Sequence, residues 1–269
     1  MRQSDNIKAA ANAMAPLAKE WLDDLIGAVA FLTRVPMPHP HGASPPNFAR
    51  AHRAFPLIGA AIGAVVGAVY SILLGLGLPA LGAAACALGA SALLTGGLHE
   101  DGLADVADGF GGGRDKAAKL EIMRDSRLGS YGALALLVSF GAKASALAAL
   151  PQNAAIAALI AAHALARGIL PAMAMSMPYA RSDGLAAAAG RPEAATAAIA
   201  VGLAVLIAFL ALPIGAAVGS VLMAAISAVI IGVLASRQIG GQTGDVLGCA
   251  EQVAETAILL LIAASRPGA

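Results

Sequence analysis

The chain has 269 residues, of which 59% are hydrophobic and 12% charged, and its mean hydropathy is +0.78. A soluble globular chain carries about twice that share of charge, so the composition excludes an ordinary soluble domain and points to a membrane protein. A net charge of +1 gives no footprint for nucleic acid, and two cysteines, Cys86 and Cys249, are too few for a disulfide framework.

Residues 1–18 hold no apolar core of the signal-peptide kind. They read as a flexible or loosely helical extension before a single integral-membrane domain, 19–269. In segment 19–35, Trp21, Leu22, Leu25, Ile26, Val29 and Leu32 recur at three- and four-residue spacing opposite Lys19, Asp23 and Asp24. That pattern predicts an amphipathic helix. It either lies in the membrane interface or packs on the mouth of a bundle.

Charge-poor runs long enough to cross a bilayer, about 20 residues, follow at 54–78, 80–98, 131–150, 154–175, 194–212 and 214–234. A seventh, 245–264, contains Glu251 and Glu255. The expected fold is therefore all-α, a polytopic bundle of six to seven transmembrane helices in hairpins. Pro79, Pro151 and Pro213 mark the tight turns within pairs, because proline cannot continue a helix without losing a backbone bond. Those turns hold no Lys or Arg, whereas the other connections hold nearly all of them. The positive-inside rule then puts the N-terminus and the polar loops in the cytoplasm. Gly59, Gly63 and Gly67 form a small-residue ridge for close helix approach.

Between the second and third spans, Glu100, Asp101, Asp105, Asp108, Asp115, Glu121 and Asp125 gather seven of the sixteen acids. With Arg114, Lys116, Lys119, Arg124 and Arg127 they would cost roughly 30 kcal/mol inside a bilayer, so this loop faces water or a polar cavity. Asp101, Asp105 and Asp108 stand at i, i+4 and i+7, within roughly 60° on a helix. Like charges so placed repel, and clustered carboxylates suit a hard cation, Mg²⁺ or Mn²⁺. Glu121 and Asp125 repeat the acidic pair, and the glycines at 109 and 111–113 would allow a reversal that joins the two faces. Arg124 and Arg127 beside them match phosphate oxygens. His99 could be a ligand, a base or a helix-end group.

Two later loops are candidates for the same site: one with Arg181 and Asp183, the other with Asp245 followed by Glu251 and Glu255. Inside the spans, His163, Arg167 and Lys143 must be paired or face a cavity; Arg167 can point toward the loops and Lys143 can snorkel. Read from the residues alone, the chain is a membrane phosphotransferase using a divalent metal, with its substrate undetermined.

The stretches LLTGGLHEDGLADVADG (93–109), KLEIMRDSRLGSYGALAL (119–136), FLTRVPMP (31–38), YARSDGL (179–185) and GGQTGDVLG (240–248) resemble the cobalamin synthase family of adenosylcobinamide-GDP ribazoletransferases, in order and from about residue 20 to 264. Glu100 stands where that family more often has an apolar residue, and Cys249 where alanine is common. The resemblance implies an Mg²⁺-dependent enzyme of the bacterial inner membrane. Such an enzyme joins adenosylcobinamide-GDP to α-ribazole or its 5′-phosphate and releases GMP. It implies that Asp101, Asp105 and Asp108 hold metal on the diphosphate, with Glu121 and Asp125 as second-site ligands. Arg124 and Arg127 would stabilise the leaving GMP, and a carboxylate or His99 would take the ribazole hydroxyl proton. Arg181, Asp245, Glu251 and Glu255 would line the substrate site. The implied partners are these small molecules and the lipid bilayer, and the chain is compatible with a homo-oligomer. Rival readings are a CDP-alcohol phosphotransferase, whose Ala-Arg pair after the glycine is replaced here by Phe110 and Gly111; a prenyltransferase; and a transporter, against which the charges concentrate in loops.

Overall fold

The computed structural model describes residues 2–37 and 47–265, and side chains from residue 16 onward. The described elements are helical, with one isolated bridge between Tyr179 and Gln242. Helix α1 (Arg2–Leu32) is followed by α2 (Phe48–Ala51) and a 3-10 turn (His52–Ala54) that runs into α3 (Phe55–Gly75). Then come α4 (Ala80–Thr95), α5 (Leu98–Gly112), α6 (Lys116–Ile122) and α7 (Ser130–Ala149). Helix α8 (Gln152–Gly168) continues as α9 (Leu170–Ser176), followed by α10 (Leu185–Ala189), α11 (Ala194–Ala211), α12 (Ile214–Ile239) and α13 (Gly244–Ala264).

Six of these stretches are long and apolar enough to cross a membrane, from Phe48–Gly75 to Gly244–Ala264, and α4 with α5 forms a seventh candidate bent by 94°. The hairpins fall where the prolines predict: Pro79, Pro151 and Pro213 each cap the start of the next helix. Glu251 and Glu255 do not interrupt α13, for the physical reason given below.

The glycine ridge of α3 meets α8. A methyl group at Gly59 or Gly63 would land on the backbone carbonyls of His163 and Leu159, so only glycine permits this approach. Tyr70 adds a hydrogen bond from its hydroxyl to the Leu147 carbonyl, 3.1 Å, between α3 and α7.

At the end of the bundle opposite the proline turns, the chain makes its sharpest bend. Gly96 and Gly97 take left-handed φ values of 72° and 69°, a region nearly closed to other residues. Helix α4 alone covers about 24 Å at 1.5 Å per residue, and α5 then runs across the mouth rather than continuing the span. Sequence spacing suggested a reversal at glycines 109 and 111–113, but α5 runs through to Gly112. Gly109 and Gly111 instead make room for Met123 and Tyr131, and the chain turns only at Gly113.

Helix α1 closes the same end. Asp24, expected on its solvent face, is buried because two arginines capture it: Arg50 Nε lies 2.9 Å and Arg53 Nε 2.6 Å from its carboxylate. The Arg53 guanidinium also lies 4.2 Å over the Trp21 ring, and Phe31 stacks on Phe55 at 5.6 Å. The helix is thus clamped to the bundle mouth, while Leu17 and Leu22 stay exposed on its outer side.

Beneath the mouth lies a buried ionic layer. Glu251 and Glu255, one turn apart on α13, face His163 and Arg167, one turn apart on α8. Arg167 lies 2.5 Å from Glu251 and 3.4 Å from Glu255, and His163 Nδ1 lies 2.9 Å from Glu255. Lys143 of α7 donates to Gln252 at 2.8 Å and Glu255 at 3.1 Å. It does not snorkel: at 4% exposure it stays inside because two acceptors wait there. Two carboxylates against one guanidinium and one ammonium make the layer neutral, so α13 can carry acids about 10 and 16 Å from its start.

Two outcomes follow from this packing. Gly63→Leu should destabilise the protein by about 1–3 kcal/mol or more, whereas Gly141→Leu, with open space around it, should not; thermal unfolding in lipid nanodiscs compares them. Glu255→Gln leaves Arg167 and Lys143 against one carboxylate and should cost about 3–5 kcal/mol, partly restored by adding Lys143→Met in the same assay.

Candidate active site at the mouth of the bundle

Helix α5 presents Asp101, Asp105 and Asp108 at helical spacing, as the sequence predicts. A fourth carboxylate reaches them from α13. Gly102 of α5 and Gly248 of α13 face each other: a methyl at Gly102 would lie 2.7 Å from the Asp245 carbonyl and 3.1 Å from Gly248 Cα. This contact sets Asp245, in the first turn of α13, against α5. Burial first, then the neighbouring charges of Asp101, Asp245 and Asp108, push the half-buried Asp105 carboxyl up to about 7, against the opposing pull of Arg181. Carboxylates that disfavour each other's ionisation in this way form a donor set that a divalent cation would neutralise. Its hard oxygens are the donor chemistry of Mg²⁺ or Mn²⁺, although among the described residues no three of these acids bring ligand oxygens within 4.8 Å of one another.

The four acids are held differently. Asp108 Oδ2 accepts the Gly129 N–H at 2.8 Å and Oδ1 the Gly132 N–H at 2.9 Å. It therefore anchors the start of α7, with both oxygens engaged. Asp245 accepts from Arg181 at 3.2 Å and from the Thr243 hydroxyl at 3.1 Å. Thr243 also caps α13 by accepting the Val246 N–H. Asp101 is exposed and borders two adjoining hollows. One is an open cleft of about 700 Å³ that Arg34, Gly96, Gly97 and Glu100 help line. The other is a tighter cavity walled by Phe31, His52, Phe55, His99 and Asp245. Phe31, Leu98, Asp101 and Leu185 border both, so they form one continuous depression.

His99 is nearly fully buried at the boundary between mouth and ionic layer. Its Nδ1 faces Arg167 at 3.5 Å and Glu251 at 3.6 Å. Glu251 and Glu255, read from sequence as substrate contacts, belong to that layer rather than to the open cleft. Among the described residues, His163, Glu251 and Glu255 are the set of three potential ligands whose atoms lie within 4.8 Å of one another. Arg167 and Lys143 already neutralise them, so charge argues against a cation there.

The second acidic pair does not join the first. Glu121 is exposed on α6, and Asp125 is held below the usual carboxylate range by hydrogen bonds from Arg127. Neither is among the charges acting on Asp105. Arg127 pairs with Asp125 at 2.5 Å. Arg124 grips both oxygens of Asp183 at 2.8 Å, which lowers that carboxyl. The arginine nearest the acidic cluster is instead Arg181. Its loop is pinned to the Gly240–Thr243 loop by backbone bonds of 2.8 Å, Ala180 N–H to the Gln242 carbonyl and Gln242 N–H to the Pro178 carbonyl. The buried Gln242 side chain then donates to the Ala174 carbonyl at 2.8 Å.

Arg34 and Gln242 are missing from the sequence-derived site. The sequence signal for Arg34 was its place in FLTRVPMP. Its backbone N–H binds the Leu94 carbonyl at 2.8 Å, and its side chain lies over Gly96 beside the cleft.

Comparison with known proteins identifies the family of the chain. The family model described as cobalamin-5-phosphate synthase matches residues 24–263. A protein named adenosylcobinamide-GDP ribazoletransferase from Bradyrhizobium diazoefficiens is 47% identical over 246 residues, covering 91% of this chain and 95% of that protein. Proteins of the same name from Sinorhizobium medicae and Azorhizobium caulinodans are each 44% identical, covering 90% and 89% of this chain and 96% and 94% of theirs. No solved structure matches. With nearly the whole membrane domain matched, the chain belongs to the cobalamin-5-phosphate synthase family.

Proposed function

We infer that the chain is an adenosylcobinamide-GDP ribazoletransferase, which assembles the nucleotide loop of cobalamin. The observation that carries this reading is the convergence of Asp101, Asp105 and Asp245 beside a cleft in a chain 47% identical to a protein of that name. In the reaction, a ribazole hydroxyl oxygen forms a bond to the corrinoid-side phosphorus. The bond from that phosphorus to the bridging oxygen breaks, and GMP leaves with that oxygen.

Asp101, Asp105 and Asp245 would hold Mg²⁺, or Mn²⁺ in its place, which when bound supplies charge neutralisation to the diphosphate and the departing GMP. Arg34, which lines the cleft, and Arg181, paired with Asp245, bind phosphate oxygens in the bidentate manner of guanidinium groups. Asp108 positions the site by fixing the start of α7 against α5. His99 takes the proton of the attacking hydroxyl: its Nδ1 side is turned to Glu251 and Arg167, and the other ring nitrogen serves the cavity. The lysine- and arginine-bearing loops, and with them the cleft, face the cytoplasm of a bacterial inner membrane. The rival readings, a CDP-alcohol phosphotransferase, a prenyltransferase and a transporter, are not favoured by a family match that runs from residue 24 to 263.

The test is GMP release by protein in nanodiscs supplied with adenosylcobinamide-GDP, ribazole and Mg²⁺. Asp105→Asn should lower the rate by about a hundredfold or more while the protein stays folded. Glu121→Gln, outside the cluster, should keep a near-normal rate. Equal rates in wild type and Asp105→Asn would remove the proposed metal site.

A further inference from the structure

A third hollow opens beside the cleft and is not used by the phosphate chemistry. It has a volume of about 330 Å³ and lies between α4, α7 and the deeper part of α13. Its walls are Leu88, Leu136, Leu137 and Phe140, and its polar residues include Glu100 and Lys143. Glu100 and Leu136 also border the open cleft, so the chamber leads off the carboxylate site. Lys143 contributes no loose charge, because Gln252 and Glu255 already accept its hydrogen bonds. Glu100 differs: the Lys143 ammonium is close enough to attract its charge, yet its Oε2 is buried with no hydrogen-bond partner among the described residues.

We propose that this chamber is the acceptor subsite, holding the apolar base of the ribazole nucleoside with its sugar at the Glu100 rim. The proposal rests on the ribazoletransferase reading and adds where the acceptor binds. Three features select the occupant. The volume is at the low end of the roughly 300–1,000 Å³ typical of small-ligand sites, which suits a nucleoside and excludes the far larger corrinoid conjugate. Leucine and phenylalanine walls suit a methylated benzimidazole, whereas guanine would bury several donors and acceptors unpaired, at a cost of about 1–3 kcal/mol or more for each. A lipid chain would fill the walls but would leave the buried Glu100 oxygen unmatched. A sugar hydroxyl can donate to that oxygen, and from the shared rim another hydroxyl is directed toward Asp101.

Ala92, on the α4 wall, allows the chamber to be filled without touching the acidic site. The experiment compares wild type, Ala92→Phe and Leu93→Phe in nanodiscs; Leu93 is 81% exposed on the adjacent outer face. It measures equilibrium dialysis of labelled ribazole alone, and the KM for each substrate. Ala92→Phe should weaken ribazole binding and raise its KM by about tenfold or more, with the KM for adenosylcobinamide-GDP unchanged. Leu93→Phe should match wild type in both assays. Ribazole binding unaltered by Ala92→Phe, or equal rises in both KM values, would overturn the chamber assignment. Wild-type protein that binds ribazole, loses it on Ala92→Phe, yet releases no GMP would overturn the reading of the reaction and leave the chamber standing.

Discussion

The site at the bundle mouth depends on one close contact, the meeting of α5 and α13 at Gly102 and Gly248. Helices that carry like-charged acids repel, and side chains at these two positions would hold them further apart. With glycine on both sides, Asp245 lies beside Asp101 and Asp105, and the half-buried Asp105 is left with a carboxyl titrating near neutrality. The bend at Gly96 and Gly97 makes the contact attainable by laying α5 across the end of the bundle. Asp108 keeps it there by holding the two backbone N–H groups at the start of α7.

The ionic layer below solves a different problem. A membrane helix that delivers Asp245 to the mouth also carries Glu251 and Glu255 inward, and unpaired acids at that depth are costly. Arg167, Lys143 and His163 answer them from two other helices, so that α7, α8 and α13 are cross-linked where the site needs a rigid floor. Such buried pairs are weak sources of net stability. Their value here is in fixing helix register beneath the mouth carboxylates, and His99 joins the two layers.

Much of this was legible in the sequence because it follows from hydropathy and spacing. Three prolines located the hairpins, the glycine ridge of α3 marked a face for close helix approach, and the i, i+4, i+7 aspartates marked the polar face of α5. What the sequence hid was pairing across long separations. Asp24 looked like a solvent residue until Arg50 and Arg53, 26 and more residues away, enclosed it. Glu121 and Asp125 copied the spacing of a ligand pair, yet Asp125 is occupied by Arg127 and Glu121 points to solvent. Arg124 looked like a phosphate clamp but holds Asp183, whereas Arg34, counted only as one more cytoplasmic charge, lines the cleft. Periodicity shows which face a residue occupies; it is silent on which distant helix meets that face.

The most direct test of the account is Mn²⁺ binding, followed by electron paramagnetic resonance on nanodisc-embedded wild type, Asp105→Asn and Gly102→Val. Wild type should bind the ion. Both variants should weaken it by about tenfold or more, the second although it removes no ligand, because it parts Asp245 from α5. Undiminished binding in Gly102→Val, with its fold intact, would contradict the claim that the glycine contact builds the site.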